Sequence, residues 1–284
     1  AECCEICRFI AVWRMIEGEK TVRLPPLYRL ITRDVVTSTN EVARELAESG
    51  AEDGTLVWAR EQTAGRGRRG KDWASPPGNL YLSLILRPEI PLHHAPQLSF
   101  VTALGVGSAV GAIVPPLTEL TFKWPNDVLV GGKKVAGILL EAGPILSGQG
   151  RDEDPTAQYL IMGVGINVQH FPQRTRYPAT SLQNEAGHTL EIVSVLEGFS
   201  KHLLPWVNTW MSEGFAPIRT AWLNRAHRMG QRIEVKAGEN LAISGIFEGI
   251  DDTGALQLRE DDGTLSLHSA GEVSFSAPET GEGG

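Results

Sequence analysis

The sequence predicts an α+β fold, with one large unit of intermixed strands and helices followed by a small all-β unit. Three observations carry this reading. Short apolar runs alternating with period 2 are interspersed with longer runs at helical spacing. Residues 98–114 form an apolar stretch rich in Gly and Ala, which reads as a buried helix. After Gly230 the pattern changes to five short alternating runs joined by Gly, Asp and Asn turns, which suggests a small β-barrel. A chain of 284 residues is long enough for a large and a small core.

In order along the chain, residues 1–26 read as a poorly ordered extension ending at Pro25-Pro26, and 28–36 as the first strand. Thr37-Ser38-Thr39-Asn40 precedes a helical pattern over 41–48, and Ser38 followed three residues later by Glu41 has capping-box spacing. Strand 55–61 leads into a Gly- and Arg-rich stretch at 64–71, followed by strand 79–86 and the buried helix at 97–114. Pro125-Asn126 separates strands 120–124 and 127–130. Gly131-Gly132 then fits a tight hairpin turn into strand 134–141, because positive φ costs glycine little. A polar surface loop at 147–155 precedes strand 158–168. Helices follow at 190–211 and 217–228, with Pro205 expected to kink or split the first. The short strands at 232–236, 241–249, 255–259, 264–267 and 272–275 complete the small unit. These elements divide the chain into units at 27–229 and 230–277, with a flexible tail at 278–284.

Composition excludes several classes. The formal charge of −8 argues against a nucleic-acid binder, whose affinity rests largely on neutralising phosphates. No apolar run approaches the roughly 20 residues of a membrane span. Cys3, Cys4 and Cys7 are the only cysteines. An odd cluster with none in the body argues against a disulfide framework and fits a cytoplasmic protein, and no fourth metal ligand lies nearby.

The chemistry concentrates in Gly65-Arg66-Gly67-Arg68-Arg69-Gly70-Lys71, where three glycines and four cations share seven positions. Glycines let backbone amides approach an anion closely, and arginines offer forked donors to carboxylate and phosphate oxygens. A solvated basic loop or a nucleic-acid patch would carry similar residues. A Walker loop is excluded, because no Gly-Lys-Ser/Thr ending is present.

The wider string Glu61-Gln62-Thr63-Ala64-Gly65-Arg66-Gly67-Arg68-Arg69-Gly70-Lys71-Asp72-Trp73 resembles the loop of biotin protein ligases. Ser38-Thr39-Asn40, Lys123-Trp124-Pro125-Asn126-Asp127, Lys134-Val135-Ala136-Gly137-Ile138-Leu139 and Gly163-Val164-Gly165-Ile166-Asn167 follow that family's order, and the likeness spans about 30–275. It implies a mixed β-sheet catalytic domain resembling class II aminoacyl-tRNA synthetases and lipoate ligases, plus a small C-terminal SH3-like β-barrel. It also implies ATP-dependent formation of biotinyl-5′-AMP and transfer of biotin to a lysine of a biotin carboxyl carrier protein domain.

Residue by residue, the resemblance assigns the ureido head of biotin to Ser38, Thr39, Asn40 and Gln62, although the first three could equally cap the following helix. Gly65, Arg66, Arg68 and Lys134 would complete the biotin site. Arg66, Arg68, Lys71, Trp73, Lys123, Asn126 and Asn167 would hold the nucleotide, with Trp73 stacking on adenine unless it is a core residue. Lys71 stands where many relatives have arginine, keeping the charge but losing the planar fork. Asp127 would help place Mg²⁺, which prefers few carboxylates plus phosphate oxygens, though Pro-Asn-Asp is also common turn chemistry. Lys134, with Arg68, is the expected catalytic group; a solvated hairpin lysine beside Lys133 is the plain alternative.

Two rival functions compete with this one. A lipoate ligase shares the fold and chemistry but arranges its arginines differently. A biotin-sensing repressor would carry a helix-turn-helix, and the residues before the first strand show no two-helix pattern, so ligase activity without DNA binding is expected. A homodimer is compatible with everything above.

Overall fold

The structure, a computed structural model, describes residues 11–13, 21–146, 154–175, 177–236 and 242–274. The three cysteines, most of the polar loop at 147–155 and the tail at 278–284 lie outside the described residues.

The chain opens with β1 (Ala11–Trp13), β2 (Val22–Leu24), β3 (Arg29–Val36), α1 (Thr39–Glu48), β4 (Thr55–Gln62) and β5 (Leu80–Leu86). Then come α2 (Gln97–Gly111), β6 (Leu120–Lys123), β7 (Asp127–Val130), β8 (Lys133–Ala142), β9 (Ile145–Leu146), β10 (Thr156–Ala157) and β11 (Leu160–Ile166). Helices α3 (Leu182–Ala186), α4 (Ile192–Glu213) and α5 (Phe215–Leu223) lead to β12 (Arg232–Lys236), β13 (Ala242–Ile250), β14 (Leu256–Arg259), β15 (Leu265–His268) and β16 (Glu272–Ser274).

The main sheet has seven strands in the order β3-β4-β5-β11-β8-β7-β6. It is mixed: β3 and β4 run parallel, joined through α1, while the other neighbours are antiparallel. Alternation along each strand sorts its residues onto two faces. Leu56, Leu82, Leu84, Leu160 and Met162 enter the large core with α2, α4 and α5, whereas Val57, Ile85 and Ile161 form a second cluster with Ala43 and Ala47 of α1. The α1 face is covered only in part, which leaves room for a site beside that helix.

Four expectations need correction. Val22 and Leu24 are fully buried in the large core, so the end of the 1–26 extension is a strand of the fold; 1–10 and 14–20 lie outside the described residues. Ser38 caps α1 by position, but its side chain makes no capping hydrogen bond. Glu41, the expected box partner, instead accepts from Thr37 Oγ1 at 2.6 Å and pairs with Arg66. Pro205 does not split α4, which continues through it with Leu203 and Trp210 buried on either side. Finally, α5 stops at Leu223 rather than continuing to Arg228, because the next residues bridge back to β6. Phe122 N donates to Arg225 O at 2.8 Å and His227 N to Phe122 O at 2.7 Å.

The C-terminal unit is a five-stranded antiparallel sheet, β15-β14-β13-β12-β16. Its Ile233, Val235, Phe247, Leu256, Leu258 and Val273 join the large core. Trp124 Nε1 donates to Gly254 O at 3.0 Å, and Gln97 Nε2 to Asp252 O at 2.8 Å, so polar groups also cross the seam. Among the described residues, no helix is long and apolar enough to cross a membrane.

Candidate active site

A trough of glycines in the middle of the sheet lets the side chains of the site close down onto the strands. On the α1 face, Gly163 of β11 pairs with Ser83 of β5 and with Leu139 of β8, and Gly165 pairs with Gly137. A Cβ on Gly163 would overlap Asn40 Oδ1. One on Gly165 would lie 2.6 Å from the Trp73 ring, and one on Gly137 3.0 Å from that ring and 3.2 Å from Lys134 Nζ. Glycine is required here by close approach rather than by backbone angle.

The N-terminus of α1 stands at one end of this trough. Ser38, Thr39 and Asn40 are all buried. Gln62, at the end of β4, accepts from Thr39 N at 2.8 Å, with Thr39 Oγ1 3.1 Å from the same oxygen. It thereby satisfies one of the helix-end donors that no intrahelical carbonyl can reach. Ser83 Oγ lies 2.8 Å from Thr39 Oγ1 and 2.5 Å from Asn40 Oδ1. The expected ureido-binding residues therefore form one cluster, to which Ser83 belongs although no motif marked it.

At the other end is a cavity of about 620 Å³. Arg66, Arg68, Lys71, Trp73, Lys123, Asn126, Asp127, Lys134 and Asn167 all line it, so the structure gathers these expected residues around one space. Ser38, Thr39, Asn40, Gln62 and Gly65 lie outside that lining. Arg69, Tyr177 and Glu272 line it without having been singled out from sequence.

Lys134 reaches the cavity through a β-bulge. Val128 pairs with Ala136 but Leu129 with Lys134, so Val135 is an extra residue in β8. Strict alternation would turn Lys134 away from Gly137; the bulge brings both to the same face. The backbone is clamped there, with Lys134 N donating to Pro178 O at 2.8 Å and Thr180 N to Lys134 O at 2.9 Å. Nζ lies 2.6 Å from Asp127 Oδ1 and 5.0 Å from the Trp73 ring centroid.

Lys123 Nζ sits 3.4 Å over the Tyr177 ring. Burial is the main force on its ammonium; despite the opposing pull of Asp127 it brings the pKa down to about 8. Burial likewise lowers Arg68, partly opposed by Asp127. Asn126 Nδ2 donates to Ile138 O at 2.5 Å, and Asn167 Nδ2 to Thr180 O at 3.0 Å, so both amides are fixed by neighbouring backbone.

The Gly-Arg loop is folded and fastened. Gly67 N donates to Lys71 O at 2.6 Å and Trp73 N to Gly65 O at 2.9 Å, closing a short turn. Arg69 holds a left-handed backbone, φ 57°, which costs a non-glycine residue about 1 kcal/mol or more. Its guanidinium donates to Lys236 O at 3.0 Å, Arg68 donates to Gly271 O at 3.3 Å, and Lys71 pairs with Glu272 at 2.6 Å. All three contacts reach the C-terminal unit.

Comparison with known proteins identifies the family. Residues 72–224 match the model of the biotin/lipoate A/B protein ligase family, and 229–276 that of the biotin protein ligase C terminal domain. The chain is 43% identical to the biotin–[acetyl-CoA-carboxylase] ligase of Paracoccus denitrificans, over 84% of this chain and 97% of that protein. It is 37% identical to the bifunctional ligase/repressor of Bacillus subtilis strain 168, over 85% of this chain and 72% of that one. The structure of the Aquifex aeolicus biotin protein ligase in complex with biotin and ATP superposes with a TM-score of 0.70 at 30% identity, over 86% of this chain and 97% of that one. Matches on both sides of the seam, and nearly the whole length of an individual relative, establish that the chain belongs to the biotin protein ligase family.

Proposed function

We propose that this chain activates biotin with ATP and transfers it to a lysine of a biotin carboxyl carrier protein domain. The observation that carries the reading is a cation-lined cavity and a buried cluster of hydroxyl and amide groups at the two ends of one glycine strip, on which Trp73 and Asn40 lie. The cluster suits a neutral ureido head. The cations suit a carboxylate and a phosphate that must be brought together against their repulsion.

In the first step the biotin carboxylate attacks the α-phosphorus of ATP, forming biotinyl-5′-AMP and releasing pyrophosphate. In the second, the acceptor amine attacks the acyl carbon and AMP departs. Neither step needs a protein nucleophile. Lys134 and Arg68 stabilise the crowded negative charge, and Arg66 the carboxylate. Lys71, Lys123, Asn126 and Asn167 hold the nucleotide, with Trp73 against the base. Gly65 lets the loop close, since a Cβ there would strike the Trp73 carbonyl and Ser75 Oγ.

The donor set also fits Mg²⁺ held mainly by phosphate oxygens. Asp127 lines the cavity, and no group of three or more metal-binding side chains occurs among the described residues. The bound ion would neutralise pyrophosphate charge. We further assign residues 27–229 to catalysis and 230–277 to support of the loop, in a cytoplasmic enzyme.

Pyrophosphate exchange with purified protein tests the function. Exchange dependent on biotin and absent with lipoate is expected; exchange with lipoate alone would refute it.

A further inference from the structure

Glu141 is a carboxylate that no step above uses. It follows Gly137 and Leu139 at alternate positions of β8, on the face that carries Asn40 and Trp73. Three groups converge on it: Asn40 Nδ2 at 2.6 Å, Arg44 Nη2 at 3.1 Å and Arg66 Nη2 at 3.4 Å. An ionised carboxylate only accepts hydrogen bonds. The nitrogen end of the Asn40 amide must therefore face Glu141, and its oxygen end must face Ser83. Turning the amide over would set its oxygen against the carboxylate.

This choice propagates. Ser83 is fully buried, and its single proton is committed to Asn40 Oδ1 at 2.5 Å, which leaves its lone pairs toward Thr39 Oγ1 at 2.8 Å. The Thr39 hydroxyl therefore donates to Ser83 Oγ, and Gln62 Oε1 is held by Thr39 N at 2.8 Å. Gln62 Nε2 in turn donates to Ser75 Oγ at 2.8 Å, and Ser75 Oγ to Trp73 O at 2.8 Å. A ureido group offers one acceptor flanked by two donors, so recognition depends on which end of each amide meets it.

We propose that Glu141 is a positioning residue: through Asn40 and Ser83 it sets the hydrogen-bond polarity of the ureido-binding cluster. The proposal rests on the biotin reading above. Biotin-dependent pyrophosphate exchange is measured for the wild type and for Glu141→Met, Glu141→Gln and Ser83→Ala, with biotin and ATP varied separately. Glu141→Met is expected to raise the biotin KM about tenfold or more, the cost of freeing a buried amide. The ATP KM and the rate at saturating biotin should stay within about twofold on the same ground. Glu141→Gln, which still offers Asn40 an acceptor, should recover most of the loss. Ser83→Ala should raise the biotin KM without touching Arg66, and it decides the matter if Glu141→Met does not fold. Unchanged biotin KM in Ser83→Ala, or a parallel rise of both KM values in Glu141→Met, overturns the proposal. A wild type without biotin-dependent exchange overturns the biotin reading itself, and the two failures are thus distinguishable.

Discussion

The Lys134 ammonium and the Asp127 carboxylate lie 2.6 Å apart on adjacent strands, facing the same cavity. In the absence of substrate each neutralises the other. In the proposed reaction a bound nucleotide would offer Lys134 phosphate oxygens instead, leaving Asp127 available to hold Mg²⁺.

Lys134→Ala should therefore retain its fold and lose turnover. Removing one such preorganised donor costs about 10²–10³-fold in rate. Biotin-dependent pyrophosphate exchange is the measurement, and near-normal exchange would remove Lys134 from the chemistry.

Asp127→Asn tests the other half of the pair. It keeps the shape but not the charge, and the Mg²⁺ concentration giving half-maximal exchange should rise about tenfold, a typical effect of weakening a metal's protein support. An unchanged Mg²⁺ requirement would confine Asp127 to its partnership with Lys134.

Lys123 gives the site a pH dependence. Burial places its pKa at about 8, below the ordinary lysine value of 10.5. In the proposed role the charged form attracts the nucleotide, so raising the pH through about 8 would discharge it and weaken capture. The kcat/KM for ATP should fall on the alkaline side of an ionisation near 8. In Lys123→Arg that limb should move beyond the accessible range; its persistence would assign the ionisation elsewhere.

Trp73 contributes a flat face above Gly137 and Gly165. Trp73→Ala should raise the ATP KM about tenfold, in line with the 1–3 kcal/mol typical of base–aromatic stacking, and Trp73→Phe should restore most of it. Equal KM values in the two variants would show that the ring serves packing alone.

How much of this was legible in the sequence depended on the physical cause. The cations and amides around the cavity were readable because short motifs keep their order along the chain. That Lys134 faces Gly137 was not, because it follows from a bulge at Val135, and alternation alone gives the opposite face. Ser83 and Glu141 were equally hidden: each sits in an ordinary strand pattern and gains meaning only from what crosses over it. The strand at Val22–Leu24 is too short for period-2 evidence, yet Val22 and Leu24 are fully buried in the core. The capping box failed because Glu41 has a competing cation, Arg66, that is distant in sequence.

The fastening of Arg68, Arg69 and Lys71 onto Lys236, Gly271 and Glu272 bears on modularity. Two family regions meet near Gly230, and a sequence view invites cutting or exchanging them there. The charge at position 71 and the charge at position 272 are nonetheless a single variable, since the half-buried Glu272 side chain is matched to a cation supplied two hundred residues earlier. A C-terminal unit transplanted from a relative would bring its own complement to that loop. Chimeras of this fold should thus be joined by matching the loop to the sheet it grips, not by the position of the seam.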